Sequence, residues 1–173
     1  MRNILLVIDM QKDFIDGALG TKEAVAIVDN VVNKIKSYDP DDVFATRDTH
    51  VPEYLDTQEG KFLPVVHCVE GTPGWELDEK IAPLIKEDHI INKPTFGSTK
   101  LAEIISDIAE KEDIAIEIVG LCTDICVVSN ALLLKAEMPE IPISVDPSCC
   151  AGVTPESHQA ALSTMGMCQI QMV

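Results

Sequence analysis

The segment from Ile118 to Val127 brings a thiol to the point where a strand gives way to a helix. It reads Ile-Val-Gly-Leu-Cys-Thr-Asp-Ile-Cys-Val, an apolar strand followed by a glycine turn and a helix start. With Thr123 as the N-cap, Cys126 falls in the first helical turn, where free N–H groups and the helix dipole lower a thiol pKa and can hold an oxyanion. The pattern indicates a nucleophile or, because cysteine is so often buried, a core residue.

Two charged residues follow other apolar runs. Asp9 ends the run from Asn3 to Ile8, and Lys93 follows the run from His89 to Asn92. An aspartate there can take the proton of Cys126 and return it to a leaving amine, and a lysine beside it can keep the carboxylate ionised. The structural alternatives are a loop-capping carboxylate and a surface lysine.

A third group of residues has the chemistry of a metal site. Asp48 and His50 alternate on an extended segment, so both side chains can point the same way, and His67 offers a third ligand. One carboxylate and two imidazoles suit zinc with open positions. Glu59 is a candidate for a further contact, and the structural alternative is two loop histidines without a metal.

Strand-like and helix-like segments alternate along the chain. This order predicts a three-layer α/β/α fold with a six-stranded, mostly parallel sheet, in one domain over residues 1–173. The expected strands are 3–8, 42–46, 89–92, 114–120, 141–145 and 169–173. The expected helices are 21–37, 75–85, 99–111, 126–136 and 154–165.

The strand ends decide where ligands should lie. Ligands of such folds bind beyond the carboxyl ends of the strands. Asp9, Asp48, Lys93 and Cys126 all follow an expected strand, so the pattern predicts that they share one rim of the sheet. The long polar stretch 48–74 is expected to be a functional loop.

Composition excludes several classes of partner. The 29 acidic residues against 13 basic ones give a formal charge of -16, which disfavours nucleic acid and anionic membranes. No secretory leader or membrane-spanning run is evident, so we expect a cytoplasmic protein whose six cysteines are free thiols.

Several separated motifs resemble the nicotinamidase and isochorismatase-like hydrolase family. The first strand ends in D-x-x-x-D-F at Asp9–Phe14, a lysine follows the third strand at Lys93, and Gly120–Val127 matches G-x-x-T-D/E-x-C-V. The resemblance implies the Rossmann-like fold of that family, a homo-oligomer, and a catalytic triad of Asp9, Lys93 and Cys126. It also implies a cis peptide between Leu121 and Cys122, and an oxyanion hole formed by the N–H groups of Cys122 and Cys126.

The resemblance also favours a metal. Nicotinamidases carry D-x-H and a later H-C-V-x-G-T-x-G as their metal site, whereas isochorismatase-type relatives generally lack it. Here Asp48, His50 and His67 match, which implies a divalent ion, zinc first, with iron or manganese as alternatives.

Two departures bear on the substrate. Thr49 stands where nicotinamidases often have Trp between the metal ligands, and their H-P-x-x-H-x-S-F pattern is absent. Phe14, Trp75 and Phe96 are candidates to line a slot for a flat ring, or to be ordinary core.

The expected function is cysteine-dependent hydrolysis of a small carboxamide, such as nicotinamide, to the acid and ammonia through a thioester. A metal-free isochorismatase-like or N-carbamoyl amide hydrolase is the alternative enzyme. Lys93-Pro94 and Asp9 also suit a receiver-like signalling domain, although the chain continues far past that strand. A family member that has lost activity is a further alternative, and no G-x-G-x-x-G supports dinucleotide binding.

Overall fold

The computed structural model describes residues 1–173, and its six strands form one sheet in the order β3-β2-β1-β4-β5-β6. Every neighbouring pair is parallel. The expected parallel sheet is therefore confirmed. The strands are β1 (Arg2–Ile8), β2 (Val43–Asp48), β3 (Ile90–Lys93), β4 (Ile114–Leu121), β5 (Ile143–Ala151) and β6 (Gln171–Met172).

Helices connect the strands, and none of them is both long and apolar enough to cross a membrane. The helices are α1 (Lys12–Ile15), α2 (Lys22–Ile35), α3 (Gln58–Phe62), α4 (Thr99–Ala109), α5 (Val128–Glu137) and α6 (Pro155–Met167). A π-helical turn, Thr123–Val127, leads directly into α5. Short 3₁₀ turns cover Pro40–Asp42, Tyr54–Asp56, Pro73–Trp75, Ala82–Leu84 and Glu87–His89.

Side-chain hydroxyls cap the N-termini of the two most amphipathic helices. The Thr21 hydroxyl accepts the N–H of Ala24 at the start of α2, and the Ser98 hydroxyl accepts the N–H of Leu101 at the start of α4. Such caps satisfy N–H groups that have no partner within the helix. Each helix then turns its apolar stripe toward the sheet.

The sheet is covered on both faces because the residues of β1 alternate between two cores. Ile4, Leu6 and Ile8 pack with α4, α5 and α6, whereas Leu5 and Val7 pack with α2. All five are fully buried. A continuous apolar run of this kind is what a strand covered on both sides requires.

The strand order reverses beside β1, between β2 on one side and β4 on the other. A crevice forms at such a switch point, beyond the carboxyl ends of the strands. Asp9 follows β1 there, and Asp48 and Lys93 are the last residues of β2 and β3. The fold thus collects the residues that the sequence pattern assigned to this rim.

The helix predicted over 75–85 is wrong. Leu77 instead forms an isolated bridge with Gln11, and Asp78 donates its N–H to the Met10 carbonyl. Pro83 has no N–H for a helical hydrogen bond, so a regular helix would be interrupted there. Leu77, Ile81 and Ile85 are nevertheless buried, although this segment is irregular.

The helix expected from Cys126 begins earlier, at Thr123, so Cys122 and not Thr123 is its N-cap. Strand β5 begins two residues later than expected and continues to Ala151. The short helices α1 and α3 were not predicted. Four or five residues are too few to show a helical period in a sequence.

Gly120 permits close contact between β4 and β1. Its φ is +120°, and a Cβ added there would overlap the Ile8 carbonyl. We expect Gly120→Ala to lower the free energy of unfolding by at least ~2 kcal/mol, through backbone strain and overpacking. Urea denaturation measures this change.

Gly166 provides the matched control. It is an exposed residue of α6, and a Cβ added there meets nothing within 4 Å. Gly166→Ala should therefore stabilise the protein by about 0.5–1 kcal/mol. Equal effects of the two substitutions would contradict the assigned role of Gly120.

Candidate active site

Lys93 lies at the centre of a buried group of charged and nucleophilic side chains. Its Nζ is 2.7 Å from Asp9 Oδ2 and 3.4 Å from Cys126 Sγ. The same ammonium donates to the Thr95 carbonyl at 3.0 Å. Lys93 is 1% exposed, Asp9 0% and Cys126 5%, so water does not screen these contacts.

Asp9 is held with one carboxylate oxygen engaged and the other available. The Thr46 hydroxyl donates to Oδ1 at 2.6 Å, and the Asp9 N–H donates to the Thr46 carbonyl. Oδ2 has no hydrogen-bond partner beyond its close contact with the Lys93 ammonium. Oδ2 is therefore the oxygen on which a proton can arrive.

The electrostatics favour a neutral thiol at rest. Burial raises the pKa of Asp9, and Lys93 opposes part of that shift. Burial alone would lower the pKa of Lys93, but the neighbouring acids, Asp9 first, raise it well above its usual value. Burial also raises the pKa of the Cys126 thiol, and Asp9 raises it further.

The direction of the pKa shift at Cys126 differs from the one expected from the sequence. A lowered thiol pKa was predicted from the helix start, but burial and a nearby carboxylate dominate at Cys126. A neutral thiol at this position would need a base to act as a nucleophile, and the Asp9 carboxylate has the chemistry of such a base.

The turn that carries Cys126 is fixed from both ends. The Cys122 carbonyl accepts the N–H groups of Ile125 and Val127. The Asn130 amide donates to the Cys126 carbonyl at 2.8 Å and ties this turn to the loop before α4, through the Phe96 carbonyl.

The peptide bond between Leu121 and Cys122 is cis, as the resemblance implied. The Cys122 N–H makes no hydrogen bond within the protein. Leu121, Cys122 and Cys126 all line one cavity, of about 660 Å³. The two N–H groups expected to form an oxyanion hole therefore belong to residues beside the same space.

Four side chains beside the triad could hold a metal. Their ligand atoms all lie within 4.8 Å of one another, and they belong to Asp48, His50, Glu59 and His67. Three of these residues were predicted as ligands, and Glu59 was predicted as an additional contact. The structure brings all four together.

The donor chemistry fits a divalent cation. His67 Nδ1 lies 2.7 Å from the Val65 carbonyl, and donation there leaves Nε2 as a lone-pair atom toward the cluster. His50 Nε2 is buried without a hydrogen-bond partner, although Asp48 Oδ2 is only 2.9 Å away. Imidazole nitrogens and carboxylate oxygens gathered within 4.8 Å of one another form a ligand set that suits a divalent ion.

The cavity of about 660 Å³ is lined by Cys126 and by three of the four candidate ligands, Asp48, Glu59 and His67. Phe14 and Phe96 line it, as expected for a ring slot. Trp75 does not: its ring lies 3.5 Å from the Arg47 guanidinium, and its Nε1 donates to Thr49. The prediction that Trp75 lines the slot is corrected accordingly, because this aromatic side chain packs in the core and stacks on a cation.

A known family model matches nearly the whole chain. The family model of the isochorismatase domain matches residues 3–172. The chain belongs to the isochorismatase family.

The proteins to which the chain is similar include enzymes with named activities. The nicotinamidase of Schizosaccharomyces pombe is 27% identical, over 98% of this chain and 91% of its own. The pyrazinamidase of Pyrococcus horikoshii, solved in complex with zinc, is 28% identical with a TM-score of 0.82, over 100% of this chain and 99% of its own. The nicotinamidase/pyrazinamidase PncA from Bacillus subtilis is 26% identical with a TM-score of 0.82 and covers 100% of both chains.

Two polar residues that form hydrogen bonds with Asp48 and Asp9 were not predicted from the sequence. Gln11, fully buried, accepts the Asp48 N–H at 2.7 Å and donates to the Asp48 carbonyl at 2.8 Å. Thr46 holds Asp9. Thr46 lies two residues before Asp48 on β2, which is next to β1. This spacing places both side chains on the same face of the strand and could have pointed to Thr46. A buried glutamine in a loop gives no such signal.

Proposed function

We propose that the protein hydrolyses a small carboxamide of the nicotinamide kind to the carboxylic acid and ammonia. Asp9, Lys93 and Cys126 carry the reaction, and residues 1–173 act as one hydrolase domain. The observation that supports this most strongly is the buried Lys93 ammonium in contact with both the Asp9 carboxylate and the Cys126 thiol.

The first half of the reaction acylates the enzyme. Cys126 Sγ forms a bond to the carboxamide carbon while its proton passes to Asp9 Oδ2. The N–H groups of Cys122 and Cys126 stabilise the oxyanion. The C–N bond then breaks, the nitrogen takes the proton from Asp9, and ammonia leaves a thioester on Cys126.

The second half releases the acid. Asp9, ionised again, accepts a proton from a water molecule that attacks the thioester carbon. The C–S bond breaks, the acid leaves, and the proton on Asp9 returns to the sulfur. Lys93 remains an ammonium throughout, because it faces carboxylates in a buried site.

The site also has a place for a divalent metal ion, with Asp48, His50, Glu59 and His67 as the residues that would hold it. When bound, such an ion would supply Lewis-acid attraction for a ring nitrogen of the substrate. The zinc complex of the similar pyrazinamidase supports zinc as the first choice, and iron or manganese suit the same ligands.

The proposed activity is tested by ammonia release from purified protein. The panel contains nicotinamide, pyrazinamide, N-carbamoyl compounds and isochorismate-like ethers. We expect turnover of the two ring carboxamides above all others. Turnover confined to N-carbamoyl compounds or vinyl ethers would overturn the proposal.

His67→Ala should separate the metal site from the thiol chemistry. Loss of a direct ligand costs more metal affinity than loss of an outer partner, itself worth roughly 10-fold to 100-fold. We expect the variant to lose its bound metal and to show a KM for nicotinamide at least ~10-fold higher. Elemental analysis of protein purified without chelator, and steady-state kinetics, measure the two effects.

His89→Ala is the matched control, because His89 stacks on Phe44 outside the cavity. It should retain the metal content and KM of the unchanged protein. If unchanged protein holds no metal and His67→Ala turns over equally well, a metal-free isochorismatase-like amidase is the better assignment.

The cellular setting is also a proposal. The six cysteines are free in the structure, and five of them are not exposed. Free thiols persist in a reducing compartment, which supports a cytoplasmic enzyme. We propose a homo-oligomer of this chain, with no nucleic acid or membrane partner.

A further inference from the structure

The cavity is larger than a ring with one carboxamide requires. Its volume of about 660 Å³ falls in the roughly 300–1,000 Å³ range of sites that enclose drug-sized ligands. Cys126 and His67 line it, and so do Phe62, Leu63 and Phe96. A ring bound between Cys126 and His67 leaves the remaining space to another part of the substrate.

Most of the residues that line the cavity are apolar, 11 of 19. Phe62 is 85% exposed and Phe96 is 46% exposed, although both line the cavity. Large apolar side chains that stay exposed beside a binding cavity gain free energy when a ligand covers them. Because Phe62 and Phe96 line the same cavity as Cys126, the ligand that covers them is assigned here as part of the substrate.

The charges of the cavity exclude an acidic substrate. No lysine or arginine lines it, whereas Asp48 and Glu59 do. Beneath the cavity wall, the negative charge of Asp9 and the positive charge of Lys93 cancel. A bound divalent cation would therefore only neutralise the carboxylates of Asp48 and Glu59. A substrate carboxylate would therefore lose water without gaining a cationic partner.

We propose that the substrate is a primary carboxamide on an aromatic ring that bears a further apolar substituent and no acidic group. The substituent covers Phe62 and Phe96. This inference rests on the proposed amidase function and narrows its substrate class. It excludes carboxylate-bearing substrates from efficient turnover.

The test compares three amides by ammonia release: nicotinamide, nicotinamide with a phenyl group on a ring carbon remote from the carboxamide, and nicotinamide with a carboxylate at that carbon. We expect kcat/KM for the phenyl compound to exceed that for nicotinamide by at least ~10-fold. At about 25 cal/mol per Å², this preference requires only roughly 55 Å² of buried apolar area. The carboxylate compound should fall at least ~10-fold below nicotinamide.

Phe62→Ala tests the named residue. It should reduce the preference for the phenyl compound severalfold, whereas Leu55→Ala, also exposed but outside the cavity, should retain it. Sedimentation of both variants shows whether Phe62 instead serves contact between subunits. A changed mass with an unchanged preference would overturn the assignment of Phe62 to substrate.

The outcomes separate this inference from the function on which it rests. Turnover of nicotinamide with no gain from the phenyl group, or with equal turnover of the carboxylate compound, overturns the inference alone. Failure to release ammonia from any of the three overturns both.

Discussion

Replacing Cys126 by Ala should lower kcat for amide hydrolysis by at least about 10⁴-fold. Without the sulfur no thioester forms, and removal of a covalent nucleophile costs losses of this order or more in other hydrolases. The substitution removes one atom from a 5% exposed position, so we expect the variant to remain folded. Continuous ammonia release measures the loss, and thermal unfolding followed by circular dichroism verifies the fold.

Other cysteines of the chain provide matched controls. Cys149 and Cys150 are also buried, and Cys168 is exposed. Cys149→Ala, Cys150→Ala and Cys168→Ala should each retain most of the activity. Turnover by the Cys126 variant at the rate of the controls would end the covalent mechanism.

Replacing Asp9 by Asn should reduce kcat/KM by at least ~100-fold, the usual scale of general acid–base catalysis. The amide keeps the shape of the carboxylate but cannot accept the thiol proton. In unchanged protein, activity requires the ionised carboxylate, so it is present above the pKa of Asp9 and lost as the pH falls through it. Because burial raises this pKa, the acid limb should lie above the ordinary carboxyl value of about 3.9.

Asp9→Asn also leaves the buried Lys93 without its closest partner, and such a loss destabilises a protein. Asp146→Asn is the control for that effect, because Asp146 is buried and pairs with Lys34 at 2.9 Å outside the cavity. The control should retain its activity and acid limb. If the Asp9→Asn variant is folded and has near-normal kcat/KM, Asp9 is not the base and only caps its loop.

The sequence was sufficient to predict the parallel sheet and the rim of the sheet where the candidate active site lies. Buried parallel strands are short apolar runs, and functional residues follow them directly, so the positions of Asp9, Lys93 and Cys126 could be read from local pattern. The D-x-H motif and His67 likewise predicted three of the four side chains of the candidate metal site. The cis peptide at Leu121 came from family resemblance alone.

Features that depend on packing could not be predicted in this way. Burial of Cys126 beside Asp9 reversed the expected direction of its pKa shift. Trp75 stacks on Arg47, a contact that only the folded chain creates. Gln11 accepts the N–H of Asp48, 37 residues away along the chain, and Phe62 lines a cavity together with residues as distant as Phe14 and Val153.

The covalent mechanism predicts an acyl enzyme on Cys126, which can be trapped. Protein mixed with excess nicotinamide is quenched in acid within milliseconds, digested, and examined by peptide mass spectrometry. We predict a nicotinoyl thioester on the peptide that contains Cys126, absent from Cys126→Ala and from protein without substrate. Steady turnover with no acyl group on Cys126, or with the acyl group on another cysteine, would contradict it.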